Sequence, residues 1–261
     1  MSPGVTFDQA AGLRRMLGPA ALRVLPLVSP LPGAAQAALA LRLAAGLAQV
    51  GNRVVLLDGS RGEVARALGL KARSDLLQLL EGRKEFAEVA LAAPEGLRVV
   101  PAADGIDALE RMGGAGYAQM FGAFAALREP ADLVLLNCAP GDAGTARRAA
   151  GAGRDLVLAL RTDAASVTGA YALIKSVRHD DKRERDEAAR AAPRRFRLLF
   201  ADAARAEAAP LFARMREAAR RFLEVELADG GAIPGSASAD ACRNIADASF
   251  GWQLPEYERP A

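Results

Sequence analysis

The chain has 261 residues, 51% of them apolar and 25% charged, a size and composition that predict one large α/β domain around one core. Its 34 basic and 31 acidic residues nearly balance and are spread along the sequence, which excludes a nucleic-acid footprint even with a pI near 9.1. Two distant cysteines, Cys138 and Cys242, and a single histidine, His179, make no C-x-x-C or zinc-ligand spacing. Asp8, Arg14 and Arg15 interrupt any secretory leader, so the expectation is a cytoplasmic protein with no metal site.

In chain order, Thr6–Leu17 reads as a helix: Thr6 caps it, Gln9 stands three residues on as in a capping box, and Gly18 and Pro19 stop it. Short apolar runs follow at Arg23–Val28, Arg53–Leu57, Leu97–Pro101, Leu133–Asn137, Leu156–Leu160 and Phe196–Ala201, separated by helical patterns. Such alternation predicts βαβ units and a doubly wound, mostly parallel sheet with helices on both faces. Pro26 inside the first run lacks the N–H that a central strand needs, which predicts a bulge or a frayed ladder there.

The Ala/Leu-rich stretch Gly33–Val50 carries Leu39, Leu43 and Leu47 on one face with Gly51 at its end. With Gln36, Arg42 and Gln49 inside, it is too short to span a membrane. Ser74–Leu80 and Tyr117–Leu127 read as covering helices, and Phe212, Met215, Ala219 and Phe222 as one buried helical face. Arg178–Arg195, crowded with both signs of charge, reads as a solvated helix or loop. In the last residues Trp252 reads as packed on the domain, because Asp247, Glu256 and Glu258 oppose an anionic leaflet; membrane binding is expected to be weak or indirect.

The strand, loop and helix over Val24–Val50 have the layout that aims backbone N–H groups and a helix N-terminus at a phosphate. The order RVLPLVSPLPGAAQAALALRLAAGLAQVGNRVVLLDGS resembles the opening of the MinD/ParA family of P-loop ATPases, whose loop reads K-G-G-x-G-K-[ST]. On that resemblance Leu31 stands at the signature lysine, Pro32 and Ala35 at glycines, Gln36 at the phosphate lysine and Ala37 at the magnesium-binding hydroxyl. Only Gly33 is retained. Asp58 matches the first aspartate after the second strand and Ser60 replaces the second. Asn137 stands at the Walker B aspartate and Ala201 at a base-contacting asparagine. The loop from Ser29 to Ala37 holds no cation, and Pro30 and Pro32 have no N–H. The resemblance therefore implies a fold whose ATP and magnesium site is degenerate, a pseudo-ATPase with no catalytic residue and no cofactor.

The segment Asp8, Gln9, Ala10, Leu13, Arg14 fits the D-Q-A-x-x-L-R activator segment of the FlhG (FleN, YlxH) branch of that family, the regulators of flagellar number and placement. LLQLLEGRKEFAEV, GLRVVPAADGIDAL and SVTGAYALIKSV resemble further segments of the family, with Gly169 replacing an aspartate. The resemblance implies an arm at 1–19, a MinD/ParA-like body at 20–245 and a tail at 246–261. It also implies that the arm binds the FlhF GTPase, a signal-recognition-type GTPase, and stimulates it. Flagellar C-ring proteins or a flagellar transcription regulator are further partners, and the chain is expected to be a monomer recruited to the flagellar pole. Two other readings stay open: an active ATPase using an altered pocket with Asp58, Gln36 and Arg61 or Arg161, and a MinD-like accessory protein of cellulose secretion or septum placement.

Overall fold

The computed structural model describes residues 21–112, 114–125, 131–151, 153–187, 194–235, 239–249 and 251–258. The expected helix Thr6–Leu17, and with it Asp8, Gln9, Ala10, Leu13 and Arg14, lies outside the described residues.

Strand β1 (Ala21–Val28) runs through a short loop into α1 (Gly33–Gln49) and returns in β2 (Val54–Asp58). Three short helices follow, α2 (Glu63–Ala67), α3 (Leu76–Leu80) and α4 (Phe86–Val89), then β3 (Leu91–Ala92) and β4 (Arg98–Pro101). The chain continues through α5 (Ala103–Met112), α6 (Gly114–Ala125), β5 (Leu133–Asn137), α7 (Ala143–Ala149) and β6 (Asp155–Leu160). It ends with α8 (Ala164–Glu187), β7 (Arg195–Ala201), α9 (Arg205–Ala218), β8 (Glu226–Ile233), α10 (Ala239–Ser249) and β9 (Glu256–Glu258).

The strand order is β3-β4-β2-β5-β1-β6-β7-β8, parallel except for β3, which is antiparallel to β4, and β9, which is antiparallel to β1. All six expected strands are present, and the sheet is doubly wound as anticipated. Buried on both faces, β2, β5 and β6 are near-continuous apolar runs. Alternation sends Leu22, Val24, Val134, Leu136 and Leu158 to one face, under Tyr117, Phe121, Ala146 and Ile174 from α6, α7 and α8. Leu25, Leu27, Leu56, Leu135 and Val157 face the other side, under Leu39, Leu43 and Leu47 of α1, Ile245 of α10, and Trp252 and Leu254. Helix α1 ends where Gly51 takes a φ of 92°, the left-handed conformation glycine adopts without strain.

Pro26 disturbs only one side of its strand. The β1·β5 register runs unbroken from Arg23↔Leu133 to Leu27↔Asn137, so there is no bulge on that side. Val24 donates away from β5, to the Pro255 carbonyl at 3.0 Å, and alternation points Pro26 the same way. There β1 pairs with β9 only up to Arg23 and with β6 only from Leu27, so the proline falls in the interval between two ladders.

Three features depart from the sequence expectation. Strand β8 carries Asp229, Gly230 and Gly231, which break its apolar pattern; Gly230 allows a close approach, since a Cβ there would lie 2.8 Å from the Leu198 carbonyl oxygen. Phe222 is not on a buried face: Ala219–Leu223 winds as a π-helix, which changes the angle per residue, and the ring is 70% exposed while Met215 and Ala219 are buried. The charged segment 178–195 is helical to Glu187, but its end is not solvated: Arg194 donates to the Gly153 carbonyl at 2.8 Å, and Arg195 lies in β7 against buried Asp155.

Candidate functional site

Parallel strands place the loops that follow β1, β2, β5, β6 and β7 along one edge of the sheet. The chain diverges to either side of β1, the position where open α/β sheets form a ligand crevice. Four elements bring sequence-separated residues together there. Asp58 ends β2, Asn137 ends β5, and the two are direct neighbours in the β2·β5 register. Gln36 enters from the first turn of α1, and Ser60 from the turn after β2.

All four side chains are withdrawn from solvent and bonded to one another. The Gln36 amide donates to Asn137 Oδ1 at 2.9 Å and to the Cys138 carbonyl at 2.6 Å. Asn137 in turn donates to Asp58 Oδ1 at 3.4 Å. The same oxygen accepts the Ser60 N–H at 3.0 Å and the Ser60 hydroxyl, while Asp58 Oδ2 accepts the Val64 N–H at 3.2 Å. Asp58 is thus a 1% exposed acceptor for four donors, and not a carboxylate open to a substrate proton. Gln36 Oε1 is buried without a partner, a group that costs about 1–3 kcal/mol unless a water or another donor reaches it.

The loop itself is packed as structure. Ser29 accepts the Leu31 N–H on its hydroxyl at 2.9 Å and the Gly141 N–H on its carbonyl at 2.9 Å. Leu31, at the expected signature-lysine position, is 3% exposed and belongs to the core on the α1 face. Pro32 is the exposed N-cap of α1, with no side-chain cap, and Ala37 is buried in the helix. Gly33 is crossed by the Glu63 side chain, whose Cγ lies 3.2 Å from the place a Cβ would occupy; Glu63 also pairs with Arg66 at 2.7 Å. Gly169 in α8 meets the other side of the loop, where a Cβ would lie 2.5 Å from Pro30 Cβ. The proline and the glycine fit only as a pair.

At the end of β7, Ala201 is buried and its methyl offers no hydrogen bond. The polar work passes to its neighbour Asp202, held at φ 55°. Its carboxylate accepts from Arg42 at 2.9 Å and from Arg161 at 2.9 Å, and Arg42 also donates to the Pro234 carbonyl at 2.9 Å. Burial pushes the Asp202 carboxyl up, but the hydrogen bonds and charges of the two arginines outweigh it and hold it below its ordinary value. Arg61 is likewise engaged, with Asp107 at 2.9 Å. Sequence reasoning missed Glu63, Arg42 and Asp202; the only available signal was that Asp202 directly follows the LLFA strand. Among the described residues no group of three or more His, Cys, Asp or Glu side chains is placed to hold a metal, and no helix is long and apolar enough to cross a membrane.

No family profile matches the chain. It is 32% identical over 206 residues to the antiactivator FleN of Pseudomonas aeruginosa, an alignment covering 77% of this chain and 70% of that protein. Among solved structures, the MinD cell division protein of Aquifex aeolicus superposes with a TM-score of 0.61 at 16% identity, covering 91% of this chain and all of that one. Cobyrinic acid a,c-diamide synthase of Mycobacterium smegmatis, with a bound ATP analogue and magnesium, gives 0.64 at 21% identity, covering 90% and 99%. These two likenesses establish the MinD-type P-loop fold, and the FleN match narrows it: the chain belongs to the FlhG (FleN) branch of the MinD/ParA family, the regulators of flagellar number.

Proposed function

We propose that this chain is a nucleotide-independent FlhG-type regulator, in which Asp8, Gln9, Ala10, Leu13 and Arg14 bind an FlhF-type GTPase and stimulate it while the α/β body serves as a scaffold. The observation that carries the pseudo-ATPase part is the fate of Gln36. At the phosphate-lysine position stands a buried amide whose donors are consumed by Asn137 and the Cys138 carbonyl. The residues present do not fit magnesium-ATP. Two loop prolines lack N–H groups, the carboxylate-bearing Glu63 crosses Gly33 at the mouth of α1, and Ala37 and Asn137 offer magnesium neither hydroxyl nor carboxylate. The activator part is supported by the match of the N-terminal segment to D-Q-A-x-x-L-R and by membership of the branch. The relative is named an antiactivator, which supports contact with an activator protein as a further output.

Two measurements test this reading. A fluorescent-nucleotide titration is expected to give no magnesium-dependent binding at micromolar ATP; saturable binding there would revive the ATPase reading. In a pull-down, FlhF is expected to be retained by the full chain and lost on removal of residues 1–18. Retention by the shortened chain would remove the arm from the interaction, and no retention by either would favour an accessory role in another machinery.

A further inference from the structure

Strand β8 ends one side of the sheet, and among the described residues no strand pairs with its outer edge. The direction of its backbone groups follows from the ladder beside it. The Arg195 N–H donates to the Arg154 carbonyl at 2.9 Å, toward β6, so the next residue, Phe196, addresses β8 through Glu226 and Ala228, which flank its register partner Leu227. The N–H and C=O of Leu227 therefore turn outward, while its side chain, 3% exposed, stays in the core beneath α9. This open stretch is short and bounded. The Val225 N–H, which points the same way, is closed on the Ala219 carbonyl at 3.3 Å. Beyond Asp229 the strand bulges, and the Asp229 carboxylate takes the Gly231 N–H at 2.8 Å.

Beside this edge lies a groove of about 550 Å³, walled by Arg216 and Glu217 of α9 and Arg220 of its π-helical end, and floored by Val225 and Leu227. Each carboxylate lining it already has an arginine: Glu217 pairs with Arg220 at 2.7 Å, Glu226 with Arg154 at 2.7 Å and Arg195 at 3.4 Å, and Glu224 with Arg178. Arg216 makes no ion pair among the described residues; its guanidinium lies 5.6 Å from the centre of the Phe212 ring. The surplus at the groove is positive, and a second copy of the chain would bring the same surplus against it, which opposes self-pairing. We propose that the β8 edge and the α9 groove form a docking site for an extended acidic segment of a partner protein, which adds a strand beside β8. The Leu227 N–H and C=O supply its main-chain hydrogen bonds. Acidic side chains at alternate positions of such a segment share one face, and in that register all of them meet Arg216 and Arg220. Strands β6 and β7 separate this site from β1 and the degenerate loop, so the inference does not depend on the activator reading.

The test titrates the full chain against two short fluorescent peptides, one alternating valine with glutamate and one alternating valine with lysine, with amide hydrogen exchange at Leu227 read by NMR. The glutamate peptide is expected to bind at least about tenfold more tightly than the lysine peptide and to slow exchange of the Leu227 N–H. Arg216→Glu, at an exposed position, is expected to weaken that binding by at least about fivefold. Leu227→Pro removes the outward N–H and is expected to abolish it; because Leu227 is also a core residue, Arg216→Glu decides the matter if the proline variant does not fold. No binding of the glutamate peptide, equal binding of the two peptides, binding unchanged by Arg216→Glu, or binding that leaves Leu227 exchange unaltered each overturns the inference. So does self-association of the chain that protects the Leu227 N–H without any peptide.

Discussion

At the scale of single residues, the region around the first loop is held together by side chains that bond to one another. Gln36→Ala removes the donor to Asn137 Oδ1 and to the Cys138 carbonyl, both buried. A loss of about 1–3 kcal/mol in urea denaturation is expected. Restoring the family aspartate at Gly169 drives a side chain into Pro30, and Gly169→Asp is expected to cost about 1–3 kcal/mol by the same measurement. Gly33→Ala meets only the flexible Glu63 side chain, and is expected to stay within about 0.5 kcal/mol of the parent. A larger loss there would mean that the glycine serves the backbone and not the crossing of Glu63. The family resemblance assigns the motif positions from sequence alone, because motif identity is local. It did not show that Gln36, Asn137, Asp58 and Ser60 bond to one another, since they come from separate elements and meet only once the β2·β5 register is set. Nor did it show that Leu31 turns into the core, which depends on how the loop between two prolines is drawn under α1.

At the scale of elements, the helices and strands with strong periodicity were legible and those decided by tertiary contact were not. Strand β8 has a pattern broken by adjacent glycines, and β9 is three residues whose extended state depends on pairing with Ala21–Arg23. The π-helix that turns Phe222 outward leaves no local mark in a run otherwise spaced like an α-helix. By contrast, Trp252 is 6% exposed in the core on the α1 face, under the Arg197 guanidinium at 5.0 Å, as the charges around it had suggested. Trp252→Ala is expected to cost about 3–5 kcal/mol in urea denaturation.

The tail also has a pH signature through Asp155. Burial pushes that carboxyl up, but hydrogen bonds from Arg195, Arg197 and the Gln253 N–H, with the charge of Arg197, outweigh burial and hold it below its ordinary value. A depressed folded value means that the contribution is complete above the unfolded value of about 4 and drains away as pH falls through the folded one. Asp155→Asn is therefore expected to be less stable than the parent near neutrality, with the gap narrowing below about pH 4 in acid titrations followed by circular dichroism. A gap that widens in acid would contradict the assignment.

At the scale of the whole molecule, the MinD-type sheet is kept while the edge that serves nucleotide in such folds is filled with side chains bonded to one another. The opposite edge carries both ends of the described chain, bound together by β1 and β9. On the proposed reading, the output of the molecule does not require nucleotide. The most direct test is the rate of GTP hydrolysis by FlhF mixed with the full chain or its Gln9→Ala variant, each with and without magnesium-ATP. The account predicts stimulation by the parent that is the same with and without ATP and is abolished by Gln9→Ala; no stimulation, or stimulation that appears only when ATP is present, would contradict it.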